Sequence, residues 1–412
     1  MRTSPDPLLS RRGLLAGGAA AAAGALAACA PEPVSVAAPA GPSGSSGPSG
    51  LIGPGGQDVE AFDGPHQAGV ATLPQAHAVF AGLDLRPGTG REAIGRLMRL
   101  LTDDTRRLAS GRAALADVET EMAVLPARLT VTFGFGPGLF TAAGLDRLRP
   151  ESVAPLPAFT IDRLEERWSG GDLVAQICAD DPMTVAHALR VIIRDARAFT
   201  TVRWTQRGFR RAAHVQAAGT TQRNLMGQLD GTVNPEPGSP DFDRAVWTRD
   251  GPSWMRGGTT LVVRRVRMEL ETWDAADRAG REFSVGRRLS DGAPLTGNAE
   301  HDVPDLDRLN AAGLPVISEF AHVRRAHVAD PGMRILRRVY NYDEGPTSRG
   351  KADSGLVLAA YQADVARQFV PIQRRLAEAD LLNDWTTPIG SAVFAVPPGC
   401  SSDGWIGDTL LS

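Results

Sequence analysis

Apolar residues recur along this chain in two rhythms that take turns from about residue 59 onward. Val79 to Leu85 is an apolar run of strand length, and Leu129-Thr-Val-Thr-Phe133 alternates β-branched and polar positions, which predicts a second strand. Between them, Ile94, Leu97, Leu100, Leu101 and Leu108 return at helical spacing with arginines on the other side, which predicts an amphipathic helix over 90–110. Gly171 to Asp180 reads as a strand followed by a helix over 184–197 and a strand over 199–204. Gly355 to Asp364 reads as a strand of the same length, again ending in Asp, followed by a helix over 365–379 and a strand over 392–396. An Asp at that junction suits a helix cap. Thr259 to Leu270 reads as a long strand opening a second half, as Val79 to Leu85 opens the first.

This weak repeat predicts an α+β fold of two halves, each an antiparallel sheet covered by helices on one face. The boundary falls near 215–225, giving an N-terminal domain over 58–218 and a C-terminal one over 219–412. The stretch from Trp273 to Ile317 has Gly, Pro and Asp clusters and little periodicity, and irregular segments of that length are often functional.

The N-terminus follows different rules. Ser10-Arg11-Arg12-Gly13-Leu14-Leu15 is a twin-arginine pattern, and an alanine-rich apolar run over 16–28 follows it. That run is too short to span a bilayer and suits the core of a signal peptide over 1–30. It ends in Leu26-Ala27-Ala28-Cys29, which resembles a bacterial lipobox, so the sequence predicts membrane attachment through an acylated Cys29; plain cleavage near Ala28 is the alternative. Residues 31–57 are Pro, Gly, Ser and Ala with almost no charge, a composition that suits a disordered tether. Twin-arginine export carries folded proteins and is the route a protein loaded with its cofactor in the cytoplasm would need.

Composition changes this picture little. Among 412 residues the net charge is −3, so no global basic field argues for nucleic acid. Cys178 and Cys400 sit in or beside apolar segments and read as buried thiols; one disulfide is open to an exported chain, but the spacing is no zinc site.

The candidate chemistry lies in the second half. Gly227-Gln-Leu-Asp230-Gly231-Thr-Val-Asn-Pro235 sets one carboxylate between glycines, where a residue without Cβ permits positive φ and close backbone approach to a flat ligand. Taken alone it could equally be a turn aspartate bonded to its own backbone. Downstream come Ala321-His322-Val-Arg324 and Ile335-Leu-Arg337-Arg338. A carboxylate can shuttle a proton, an arginine can stabilise charge on a departing oxygen, and a neutral imidazole can bind iron. A separate run, Gly134-Phe-Gly136-Pro137-Gly138, follows a strand and invites a dinucleotide-binding reading. Its glycine spacing is wrong for that, and Pro137 removes a phosphate-facing N–H.

The order and wording of these motifs, with Gly64-Pro-His-Gln-Ala-Gly69, Val285-Gly-Arg287, Gly292-Ala-Pro-Leu295 and the run from Leu356 to Phe369, resemble the dye-decolourising (DyP-type) haem peroxidases over about 60–412. The resemblance is greatest to the exported branch that includes proteins of bacterial ferrous-iron uptake. It implies two ferredoxin-like halves of the dimeric α/β-barrel superfamily and one b-type haem in the second half. It implies that Asp230, flanked by Gly227 and Gly231, is the distal proton shuttle, that Arg337 is the distal arginine with Arg338 the alternate by one register, and that His322 is the axial ligand of the haem iron. Arg287 would pair with a haem propionate, and Asp364, from the strand–Asp word, would be the carboxylate on the ligand's other nitrogen. The chain departs from the family at position 327, which is His rather than Asn, with Pro delayed to Pro331. The implied function is hydrogen peroxide-dependent oxidation of dyes, phenols or another reductant. The alternatives are release of iron from haem (deferrochelation), oxidation of ferrous iron for an uptake system whose components would be partners, and a haem carrier without turnover. A homo-oligomer is allowed by the sequence.

Overall fold

The computed structural model describes residues 55–412 apart from 213, 214, 218 and 349. The twin-arginine segment, Cys29 and nearly all of the 31–57 tether lie outside the described residues, as does His214.

Eight strands carry the fold: β1 (His77–Leu85), β2 (Thr130–Phe135), β3 (Leu173–Ala179), β4 (Thr200–Phe209), β5 (Thr259–Met268), β6 (Leu336–Pro346), β7 (Ala352–Gln362) and β8 (Thr386–Val396). They close into a barrel in the order β1-β3-β2-β8-β5-β7-β6-β4, with every pair antiparallel. Each half is a four-stranded sheet with the strand order and helix placement of a ferredoxin-like unit. The two sheets meet at single residue pairs, Phe135 with Ala395 and Phe209 with Asn341.

The apolar runs of the strands reflect burial on both faces. On β1, Val79, Ala81 and Leu83 pack toward the helices Arg91–Ala109 and Pro182–Ala196, whereas Ala78 and Phe80 join a second cluster inside the barrel with Cys178, Leu261, Tyr340, Tyr361 and Phe394. Successive side chains of a strand point to opposite faces, so both sets must be apolar where both faces are covered. The helix after β3 begins at Pro182 and is capped by Asp181, whose side chain accepts from the Thr184 N–H. After β7 the chain first makes a single π-helical turn, Val365–Phe369, and only then the α-helix Val370–Ala379.

β6 is the element that the apolar pattern does not announce. Its inward positions include Arg338, which is fully buried and donates to the Thr72 carbonyl and to Gln75 Oε1. On β5, separated from β6 by β7, Arg265 lies over the rings of both Trp168 and Tyr342, at 4.4 and 4.1 Å. A guanidinium whose forks are bonded and whose faces are stacked can sit inside a barrel, but it reads as surface in a linear pattern.

Between the two N-terminal helices the carboxyls of Asp104 and Asp195 are buried together. Asp104 Oδ1 accepts from the Leu115 N–H at 2.8 Å, while Oδ2 of both residues lacks a hydrogen-bond partner among the described residues. Burial, and then the adjacent Asp104, push the Asp195 carboxyl up from 3.8 to about 6, against the opposing pull of Arg194. The folded chain therefore keeps a proton that the unfolded chain has released across that window, and stability falls as pH rises through it. Asp195→Asn, neutral at every pH, is expected to raise the Tm at pH 7 and to leave it unchanged near pH 4. Melting curves across that range check this; equal destabilisation at both pH values would show that the pair does not titrate there.

Candidate active site

Residues 221–235 form an irregular loop that hydrogen-bonds itself into shape. The Asn224 side chain accepts from the N–H groups of Met226 and Gln228 at 3.0 and 3.2 Å, and the Asp230 N–H donates to the Gln222 carbonyl at 2.9 Å. Gly227 and Gly231 hold φ of 80° and 123°, where an L side chain is strained. A Cβ at Gly227 would meet nothing within 4 Å, so the backbone conformation rather than crowding calls for glycine there. The loop is also fixed from outside: Arg223 Nη1 donates to the Gly227 and Leu289 carbonyls, and the Trp273 indole N–H donates to the Met226 carbonyl at 3.0 Å.

This frame buries Asp230 beside β6. Asp230 Oδ2 accepts from Asn224 Nδ2 at 3.3 Å, and Asp230 Oδ1 lies 2.8 Å from Arg337 Nη1. Asn234, at the end of the same loop, grips the Arg337 backbone from both sides, accepting from its N–H at 2.9 Å and donating to its carbonyl at 2.8 Å. The alternation of β6 settles the register: Arg337 faces the loop, and Arg338 points into the barrel.

His322 opens the short helix His322–Ala326. Its Nδ1 is 2.6 Å from Asp380 Oδ2, a carboxylate almost wholly buried at the end of the helix Val370–Ala379. Arg325 Nε donates to the Arg375 carbonyl and Arg375 Nε to the Arg325 carbonyl, both at 3.0 Å, which staples the two helices together. A carboxylate on Nδ1 holds the proton there and leaves the Nε2 lone pair available. Nε2 has no hydrogen-bond partner among the described residues, and the ring is partly exposed. The arrangement fits an axial ligand for haem iron.

Arg287 follows directly. Gly286, at φ 84°, ends the helix Arg278–Val285, and a Cβ there would come within 2.5 Å of Val323 Cγ1, so glycine lets this segment lie against the His322 helix. Arg287 Nη1 donates to the carbonyls of Gly292 and Glu300, each at 2.7 Å. Burial pulls the guanidinium below its usual pKa, and the Glu300 carboxylate offsets part of that.

Family models described as Dyp-type peroxidase, N-terminal, and Dyp-type peroxidase, C-terminal, match residues 67–210 and 221–401. The chain belongs to the Dyp-type peroxidase family. A protein named dye-decolorizing peroxidase from Thermobifida fusca (strain YX) is 41% identical over 345 residues, covering 80% of each chain. A deferrochelatase from Escherichia coli (strain K12) is 32% identical over 375 residues, covering 85% of this chain and 87% of the relative. The crystal structure of a DyP-type peroxidase from Cellulomonas bogoriensis superposes with a TM-score of 0.85 at 51% identity, covering 87% of this chain and all (100%) of the other. This Dyp-type peroxidase is accordingly a haem-dependent oxidoreductase that consumes hydrogen peroxide.

The structure corrects one assignment within the peroxidase. The carboxylate on His322 is Asp380, not Asp364. Asp364 instead caps the π-helical turn, accepting from the N–H groups of Ala366 and Arg367 at 2.8 and 3.2 Å. The strand–Asp word marked a helix start, which is the commoner use of such a residue. Asp380 follows a helix with no neighbouring signal, and only the packing of that helix against His322 reveals it. Asn234 stands within the distal motif and Asn224 three residues before it, and neither carries a signal of its own that marks it as a loop anchor. His327 is exposed and makes no side-chain hydrogen bond among the described residues. Cys178 and Cys400 are both free thiols, so the disulfide does not form. The Gly134–Gly138 run holds no phosphate cradle: a Cβ at Gly138 would collide with the Asp172 carboxylate, so an acidic group already fills the turn.

Proposed function

We propose that this chain is an exported peroxidase in which Asp230 moves the proton of hydrogen peroxide, Arg337 stabilises the departing oxygen, His322 holds the haem iron and Arg287 pairs with a propionate. The observation that carries the reading is the Asp230–Arg337 contact at 2.8 Å in a loop held from both ends. Haem, when bound, supplies the redox-active iron at which the oxygen–oxygen bond is cleaved. Asp230 accepts the proton from one peroxide oxygen and returns it to the other. Arg337 donates charge-assisted hydrogen bonds to the oxygen that leaves as water. Two reductant molecules then give up one electron and one proton each, and two waters form per peroxide. Asp380 keeps the imidazole oriented and basic.

The reductant is a dye, a phenol or a compound of that kind. Ser10 to Cys29 supports export by the twin-arginine route and attachment to lipid on the outer face of the cell membrane, by sequence alone. A second reading, release of iron from haem or oxidation of ferrous iron beside an uptake system, is favoured by the relative named deferrochelatase.

One experiment separates the two. The haem-loaded protein is given peroxide and a dye, with dye absorbance and protoporphyrin fluorescence followed together. Dye loss at multiple turnovers without free protoporphyrin is expected. Stoichiometric protoporphyrin with no dye turnover would replace the peroxidase reading with iron release.

A further inference from the structure

The distal loop has a further anchor that the proposed mechanism does not use. Asn234 ties its far end to β6, but between Asp230 and Asn234 the Thr232 hydroxyl donates to Glu300 Oε1 at 2.9 Å. Glu300 lies in a turn over 297–302. Arg288 holds that turn by donating to the Gly297 and Asn298 carbonyls at 3.0 and 3.2 Å, and Asp302 Oδ2 caps it by accepting from the Asn298 and Ala299 N–H groups at 2.7 and 3.0 Å. The Glu300 carbonyl is also one of the two acceptors that fix Arg287 Nη1. One residue therefore grips the proton-handling loop with its side chain and the Arg287 guanidinium with its backbone. Its carboxylate interacts with the Arg287 guanidinium and lies 4.0 Å from Nε2 of the exposed His301.

We infer that Glu300 is a positioning residue that couples the haem-anchoring Arg287 to the Asp230 loop, so that the site is set for peroxide only when both are seated. The inference rests on the roles proposed above for Asp230 and Arg287. The bond fixes Thr232, which follows Gly231, where positive φ and the missing Cβ leave the backbone freer to shift. Without the Thr232–Glu300 bond the segment keeps its anchors at Asp230 and Asn234 but loses the side-chain bond that fixes its middle. Misplacement of a catalytic group by a fraction of an ångström then costs rate rather than reductant affinity.

The test uses the haem-loaded protein with Glu300→Ala, Glu300→Gln, Thr232→Val and the Glu300→Ala/Thr232→Val double variant, with Asp230→Asn alongside. Readouts are kcat/KM for peroxide, KM for the dye, and the rate of haem transfer to apomyoglobin. Glu300→Ala is expected to lower kcat/KM for peroxide about tenfold, to leave the dye KM within about twofold and to speed haem release about threefold. Glu300→Gln, whose amide oxygen still accepts from Thr232, should stay within about twofold of the wild type on each readout. Thr232→Val should match the alanine variant in the peroxide reaction, and the double variant should be no worse than either single one, as for two halves of one contact. Wild-type peroxide kinetics in Glu300→Ala, or a double variant that loses the product of the single losses, would overturn the inference. If Asp230→Asn is impaired and Glu300→Ala is not, this coupling alone falls; if Asp230→Asn is itself fully active, the parent assignment falls and takes the coupling with it.

Discussion

Asp230→Asn is expected to lower kcat/KM for hydrogen peroxide by about a thousandfold while haem stays bound. The substitution keeps size and shape but removes the only group in the loop that can take a proton and return it. Two effects compete in the variant. The chemical one is large, because general acid–base assistance is worth about 10²–10⁴ in rate. The structural one is small: Arg337 loses its counter-charge, but its side chain is 28% exposed and can be solvated, so the fold loses about 1 kcal/mol or less. The loop itself is held by bonds that do not pass through the carboxylate, chiefly Asn224 to the Met226 and Gln228 N–H groups and Asn234 to Arg337. Stopped-flow mixing with peroxide, monitored in the Soret region, gives the rate directly, and a urea midpoint gives the stability. A variant within about tenfold of the wild type in the peroxide step would mean that Asp230 is a turn residue and that the proton moves elsewhere.

His322→Ala is expected to weaken haem binding by more than about a hundredfold and to abolish the ferric absorption pattern of an imidazole-ligated haem. Loss of the carboxylate that holds a metal-ligating imidazole typically costs about 10–100-fold, so Asp380→Asn should fall in that range and loss of the ligand beyond it. Both are read by titrating haem into apoprotein. Global unfolding does not explain such a result, because the helix His322–Ala326 is fixed by the reciprocal Arg325–Arg375 bonds rather than by the imidazole. Circular dichroism of the apoproteins checks that point. An unchanged spectrum and affinity in His322→Ala would move the ligand to another histidine, and His327 is the first to test.

Most of the fold was legible because burial on two faces leaves a mark in the sequence. β1, β3, β5, β7 and the helices against them follow either an unbroken apolar run or a 3.6-residue period, and each lies close to its expected position. β6 was not legible, because Arg338 and two tyrosines line its inner face and an acidic turn ends it. The helix Arg278–Val285 hides inside the stretch from Trp273 to Ile317 for a similar reason: it is short and buries few residues. The site divides in the same way. Asp230, His322 and Arg337 stand in local words whose spacing is fixed by a tight turn, a helix start and a strand, so the residues could be picked out singly. Their partners come from elsewhere in the chain.

By itself, the sequence determined the two-half α+β plan and the family, and it singled out Asp230, His322 and the Arg337–Arg338 pair as candidates. These depend on local conformation and composition, which short stretches of chain encode. Only the tertiary structure decided which residue pairs join the two sheets, that Arg337 rather than Arg338 meets Asp230, that Asp380 rather than Asp364 holds His322, and that Glu300 spans the distal loop and Arg287. Each of these is a contact between segments distant in the chain. A hydrogen bond depends on distance and direction in space, and a linear pattern carries neither until packing has brought the partners together.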